Sequence, residues 1–143
     1  MIKEIQNLNI GVEEEYQLID PETRELTSYV TELLDEGSLV SENDVKPELL
    51  QSQIEIGSNV CDTIPELEKD LSRLRLLIKK YANKNGLEFI AAGTHPFSHW
   101  RNQIVTDKSR YHGFMDSTQY VGKRMLIFGM HVHIGIQDKD LRI

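Results

Sequence analysis

The sequence predicts an α+β fold, an antiparallel or mixed sheet with helices packed on one face and a polar site on the other. Three observations point there. Three segments alternate apolar and polar residues with the period of two that half-buried strands show. One long segment repeats apolar residues at three- and four-residue steps, as one helix face does. The inferred order is strand, strand, helix, strand, helix, strand.

Each element has its own justification. In residues 9–19, Ile10, Val12, Tyr16 and Leu18 fall on one side, and Gly11, Glu13, Glu15 and Gln17 on the other; Glu14 falls on the otherwise apolar side. Asp20-Pro21-Glu22 then turns the chain. Residues 49–57 alternate too, with Leu50, Ser52, Ile54 and Ile56 opposed to Gln51, Gln53 and Glu55. Short loops are expected around 20–22, 35–46 and 96–107. A helix is expected over about 64–83, where Ile64, Leu67, Leu71, Leu74, Ile78 and Tyr81 form a stripe. Thr63 and Glu66 have capping-box spacing, and Gly86 is a stop signal. Residues 87–92 read as a buried strand and 107–126 as partly helical. In 128–137, Met130, Val132, Ile134 and Ile136 oppose His131, His133 and Gly135.

The bulk composition excludes several classes. At 143 residues the chain has the length of one domain, expected to be 1–143. A net charge of −7 argues against non-specific nucleic-acid binding, which needs a basic surface. The lone cysteine, Cys61, can form no intramolecular disulfide, which fits a reducing cytoplasm; no motif surrounds it, so it reads as a buried structural thiol. Residues 1–7 carry no apolar signal core, and no run approaches the roughly 18 apolar residues of a membrane span.

Three segments could carry chemistry. Glu13 and Glu15 share a strand face, roughly 7 Å apart from two residues of strand rise. Carboxylates held that close repel unless a cation joins them, and hard ions such as Mg²⁺ choose oxygen ligands; a solvated strand face is the plainer reading. Glu55 stands between two isoleucines on a face shared with Gln51 and Gln53. Glu48 precedes it by seven residues, an odd spacing, so the two can share a site only if Glu48 lies in a loop or beside a bulge. Lys46-Pro47 makes a loop plausible. His131 and His133 face one side of a strand whose other side is apolar, and the glycines beside them leave room for a bulky ligand. Such a pair can ligate metal or contact phosphate, or be two half-exposed histidines. If the three strands are neighbours, their polar faces merge into one acidic, histidine-containing floor.

Taken in order, Gly11-Val12-Glu13-Glu14-Glu15-Tyr16, Glu48-Leu49-Leu50-Gln51-Ser52-Gln53-Ile54-Glu55, Ala92-Gly93-Thr94-His95-Pro96 and Gly129-Met130-His131-Val132-His133-Ile134-Gly135 resemble the carboxylate–amine ligase branch of the glutamate–cysteine ligase family, within the glutamine synthetase superfamily. The resemblance implies a glutamine-synthetase-like catalytic fold, incomplete here because family members are much longer. It implies ATP and Mg²⁺ as cofactors, and small amino-acid substrates. The implied reaction joins a carboxylate, glutamate first, to an amine, cysteine first, through an acyl phosphate. Carried over by position, Glu13, Glu15, Glu48, Glu55 and His131 resemble metal ligands, with Glu55 essential to catalysis. His133 resembles a contact to ATP phosphate, and Thr94, His95 and Arg110 resemble substrate contacts. Two alternatives stand beside this: a non-catalytic fragment that binds metal or nucleotide weakly, and a metallohydrolase using His131 and His133. An unpaired sheet edge would favour a homo-oligomer.

Overall fold

The computed structural model describes residues 8–29 and 45–142. The N-terminal stretch 1–7 and nearly all of the expected loop 35–46 lie outside the described residues. Among the described residues, five strands form one antiparallel sheet around β1 (Asn9–Ile19). On one side β1 pairs with β3 (Gln53–Gly57), and β3 with β2 (Val45–Pro47). On the other side β1 pairs first with β5 (Met130–Gly135), along residues 9–14, then with β4 (Glu88–Ile90), along residues 17–19. One strand therefore organises the whole sheet.

The turn after β1 is built by Asp20, whose Oδ1 accepts from the backbone N–H groups of Glu22 and Thr23 at 2.9 and 2.8 Å. Helix α1 (Ile64–Lys84) begins where Thr63 Oγ1 accepts from Glu66 N–H, while the Glu66 carboxylate reaches back to the Asp62 N–H at 3.0 Å. It ends at Gly86, whose φ of +67° suits glycine. Gly86 N–H bonds to Asn83 O and Leu87 N–H to Ala82 O, satisfying two terminal carbonyls and sending the chain into β4.

α1 lies across β1 and β4. Its buried residues, Leu74, Ile78 and Ala82, pack with Tyr16, Leu18, Ile54, Ile56, Val45 and Leu87 as the main core. Leu67 joins Val12 and Cys61 in a smaller cluster, and half-buried Leu71 touches both. The stripe starts at Leu67 rather than Ile64, which is exposed beside Pro65 in the first turn. Residues 107–126 hold α2 (Ser109–Thr118) and the short α3 (Tyr120–Lys123). Among the described residues no helix is long and apolar enough to cross a membrane.

Four expectations need correction. Residues 49–52 are a turn rather than the start of a strand: Gln53 N–H bonds back to Leu50 O at 2.9 Å. Residues 45–47 form β2 where a loop was expected, because they pair with β3. β4 is short, with Glu88, Ala91 and Ala92 exposed, so 87–92 is not a buried strand. Val132 and Ile134 lie on the same sheet face as Val12 and Ile10, yet remain 52% and 50% exposed. α1 covers β1 and β4 and leaves β5 uncovered, with all six of its residues exposed.

Glu14, on the helix side of β1, is buried by a specific partnership. Arg75 of α1 donates from Nε to Glu14 Oε2 at 2.9 Å and from Nη2 to Oε1, and the Tyr16 hydroxyl donates to the same carboxylate. Burial is the largest influence on Glu14 and acts upward, but these bonds together hold its carboxyl below the usual range. The same burial, with the carboxylate alongside, pushes the Tyr16 hydroxyl up to about 12.

Candidate metal centre on the polar sheet face

The strand registers fix which side chains share a face. Glu15 stands opposite Glu55, Glu13 opposite His131, and Gly11 opposite His133. Directly paired residues point to the same side, so Glu13, Glu15, Glu55, His131 and His133 all occupy the face opposite α1. Glu48 joins them from outside the ladder. It sits in the turn between β2 and β3, the placement its odd spacing from Glu55 requires, and its carboxylate accepts from the Leu49 N–H.

Glu15, Glu48 and Glu55 each offer a carboxylate oxygen within 4.8 Å of the others. Burial is the main reason the Glu15 and Glu55 carboxyls are pushed above their ordinary range. The Glu48 charge raises both further, and Glu13 raises Glu55. The Gly129 N–H, donating to Glu15 Oε2 at 2.8 Å, and His131 act in the opposite direction on Glu15. Glu13 Oε2 lies 3.0 Å from His133 Nε2. The expected ligand set thus divides into a carboxylate trio and a neighbouring Glu13–His133 pair, with His131 close enough to Glu15 to be felt by it.

The trio fits a hard divalent ion: three oxygen donors, no sulfur, and mutual repulsion that a cation relieves. Among the described residues it is the grouping with ligand spacing, and it contains no histidine, which suits Mg²⁺ better than the Zn²⁺ of a His-x-His hydrolase. One pleat along β1, Gln17 is fully buried, and among the described residues its side-chain amide has no hydrogen-bond partner, an uncommon cost.

Sequence reasoning missed several supports. Lys46 on β2 faces Glu55, with Nζ 3.7 Å from Oε1. Tyr111 of α2 donates to Pro47 O at 3.2 Å and so ties the helix to the turn carrying Glu48. Gln53 Nε2 reaches across the same face to Ile127 O at 3.2 Å. All three depend on long-range pairing, which leaves no local cue in the sequence.

The expected substrate contacts fare unequally. Arg110 lies near Glu48 and Glu55, its guanidinium bonded to the Tyr111 hydroxyl and stacked 4.4 Å from that ring. Thr94 is exposed, and its hydroxyl donates to Leu126 O at 2.6 Å. His95 follows it in the chain. It is buried, its Nδ1 accepts from Ser98 N–H at 3.0 Å, and its Nε2 meets Arg24 O at 3.1 Å. Both ring nitrogens bond to the backbone and hold the loop together. Gly135 likewise makes room for Asn9 rather than for a ligand: a Cβ there would fall 1.7 Å from Asn9 Oδ1. Cys61 is buried as expected, and burial and the carboxylates of Asp70, Glu66 and Asp62 push its thiol up, away from nucleophilic use.

Comparison with known proteins decides the lineage. The model of glutamate–cysteine ligase family 2 matches residues 9–143. The chain belongs to this family. A relative from Herpetosiphon aurantiacus, named provisionally as a glutamate–cysteine ligase 2, is 51% identical over 92% of this chain and 34% of its own length. One from a Roseiflexus species, with the same provisional name, is 46% identical over 94% of this chain and 35% of its own. The chain thus spans about a third of the length of these glutamate–cysteine ligase family 2 relatives. Among solved structures, a glutamate–cysteine ligase from Francisella tularensis in complex with AMP superposes with a TM-score of 0.73. The identity is 18%, over 94% of this chain and 28% of that one. A bifunctional glutathione synthetase from Pasteurella multocida gives a TM-score of 0.70 at 12% identity, over 94% and 18% of the two chains. At such identities the likeness establishes the family's sheet-and-helix fold.

Proposed function

We propose that this chain supplies the acidic, metal-holding part of a ligase site that uses ATP and Mg²⁺ to join an amino-acid carboxylate to an amine. Glutamate and cysteine are the first candidates. The observation that carries the reading is the convergence of Glu15, Glu48 and Glu55 on one sheet face in a member of this family.

In the proposed reaction a carboxylate oxygen bonds to the γ-phosphorus and ADP leaves. The amine nitrogen then bonds to the acyl carbon, inorganic phosphate leaves, and the amine gives up a proton. A bound Mg²⁺ neutralises phosphoryl charge and helps hold the transfer in line. Glu15, Glu48 and Glu55 are the residues that would hold it, with Glu13 and His131 alongside. Gly129 N–H orients Glu15 for that role. His133, steadied by Glu13, is assigned to the phosphates, and Arg110 to the substrate carboxylate, for which a guanidinium offers a bidentate fork. Thr94 is assigned to the amino-acid side of the site.

The activity proposed is that of the complete protein. The 143-residue chain by itself is expected to bind Mg²⁺–ATP weakly and to turn over little, because in-line transfer needs charges held on both sides of the phosphates. The test is phosphate release by both forms, with glutamate and cysteine tried first. Glu55→Gln should abolish release without unfolding the protein. A complete protein that consumed no ATP with any amino acid and amine would refute the ligase reading.

A further inference from the structure

The carboxylate trio already has a cation beside it. Lys46 stands on β2 directly across from Glu55, its Nζ 3.7 Å from Oε1, with its side chain 43% exposed. It approaches the polar face from the β2 side of the sheet, on a flexible stem with three donors. Arg110, another cation near Glu48 and Glu55, is held by the Tyr111 hydroxyl and ring.

A divalent ion on Glu15, Glu48 and Glu55 takes the charge that Lys46 now neutralises. Ammonium and dication then repel at short range, so metal binding and the Lys46–Glu55 pair compete. The displaced ammonium stays tethered at the rim of the same face. A metal-bound polyphosphate brings several anionic oxygens to that rim, and a lysine is a common point-charge partner for them.

We propose that Lys46 is an exchangeable counter-ion, paired with Glu55 in the metal-free protein and transferred to the phosphate oxygens of a metal-bound nucleoside triphosphate when metal takes Glu55. This rests on the ligase-site reading above. It has a consequence that a structural lysine would not share: removing the charge moves two affinities in opposite directions. Metal alone loses a competitor, whereas metal-nucleotide loses a contact.

The experiment uses the protein in the longest form its gene encodes, and measures Mn²⁺ and Mn²⁺–ATP binding by calorimetry and paramagnetic resonance. Lys46→Met should bind free Mn²⁺ about threefold to tenfold more tightly and Mn²⁺–ATP about tenfold more weakly, the latter matching one charge-assisted hydrogen bond. Lys46→Arg should stay near wild type in both, and Lys79→Met, on the exposed side of α1, should change neither. If Lys46→Met does not fold by circular dichroism, Lys46→Gln serves the same comparison. Shifts of both constants in the same direction, or no shift, would overturn the exchange while leaving the ligase site standing. A wild-type protein that bound neither Mn²⁺ nor Mn²⁺–ATP would overturn the site reading and the exchange with it.

Discussion

Replacing Arg75 by methionine tests how the helix layer is locked to the sheet. The change removes two guanidinium bonds to Glu14 and the 3.1 Å contact from Nε to the Tyr16 hydroxyl, but keeps much of the side-chain volume. It leaves a carboxylate whose side chain is 7% exposed without its cation. Removing one partner of a fully buried pair costs about 3–5 kcal/mol. Arg75 is itself 52% exposed, so solvent screens the pair, and about 2–3 kcal/mol is expected at pH 7. The loss should depend on pH. In the native protein Glu14 titrates below its ordinary range, so its contribution is present above the unfolded value and disappears as pH falls through the folded one. Without Arg75 the burial effect dominates and the carboxyl moves up, so the variant should lose stability as pH rises above about 4.3. Urea unfolding followed by circular dichroism should therefore show a large deficit at pH 7 and a much smaller one near pH 4. Adding Glu14→Gln to the variant should recover part of the deficit at pH 7. A loss below about 0.5 kcal/mol at pH 7, or the same loss at both pH values, would refute the reasoning.

Three further outcomes can be checked by similar means. Leu74→Ala, at a fully buried position under the sheet, should cost about 2–5 kcal/mol, and Leu71→Ala, at a half-buried one, distinctly less. Glu55→Gln should stabilise the metal-free protein at neutral pH: its carboxyl is raised on folding, so its contribution is fully present below the unfolded value and lost as pH rises through the folded one. Stability of the variant that fell as steeply as wild type between pH 4 and 7 would sink that account. Val132→Thr should change unfolding free energy by no more than about 0.5 kcal/mol, since half of that side chain already meets water; a loss above about 1.5 kcal/mol would mean that β5 is covered.

What was legible in the sequence was whatever repeats. The period of two in residues 9–19 placed Glu13 and Glu15 on one face and Val12, Tyr16 and Leu18 on the other, and the pairing registers agree. The helical stripe announced Leu67, Leu74 and Ile78 as core. Glu48 was legible as a condition, since its odd distance from Glu55 demanded a break that the turn at 48–52 supplies. Other features had no local cue. A three-residue strand such as β2 is too short to show a period, so Lys46 looked like loop. Glu14 broke the pattern because its partner lies 61 residues away on a helix. His95 carried a motif's polarity but spends it on two backbone groups, one of them 71 residues distant. The apolar face of β5 obeyed its period yet stayed exposed, because alternation specifies which side chains share a face and not what packs against it.

The position of β1, with hydrogen-bonded neighbours on both flanks, bears on where the gene can change length. A strand advanced by a single residue presents its opposite set of side chains. One codon inserted between Gly11 and Gln17 would turn Glu13 or Glu15 toward α1 and bring an apolar residue to the acidic face. It would also strand the Glu14 carboxylate away from Arg75, and misalign the strand with β3, β5 and β4 together. A codon inserted at the exposed turn 22–24 would leave the ladders of β1 in register and disturb the Asp20 turn and the contacts of Arg24 with His95 and Glu88. Insertions and deletions should therefore be purged from one short stretch of the reading frame and tolerated a few codons downstream, a contrast that a length-variant library selected for folding alone would expose.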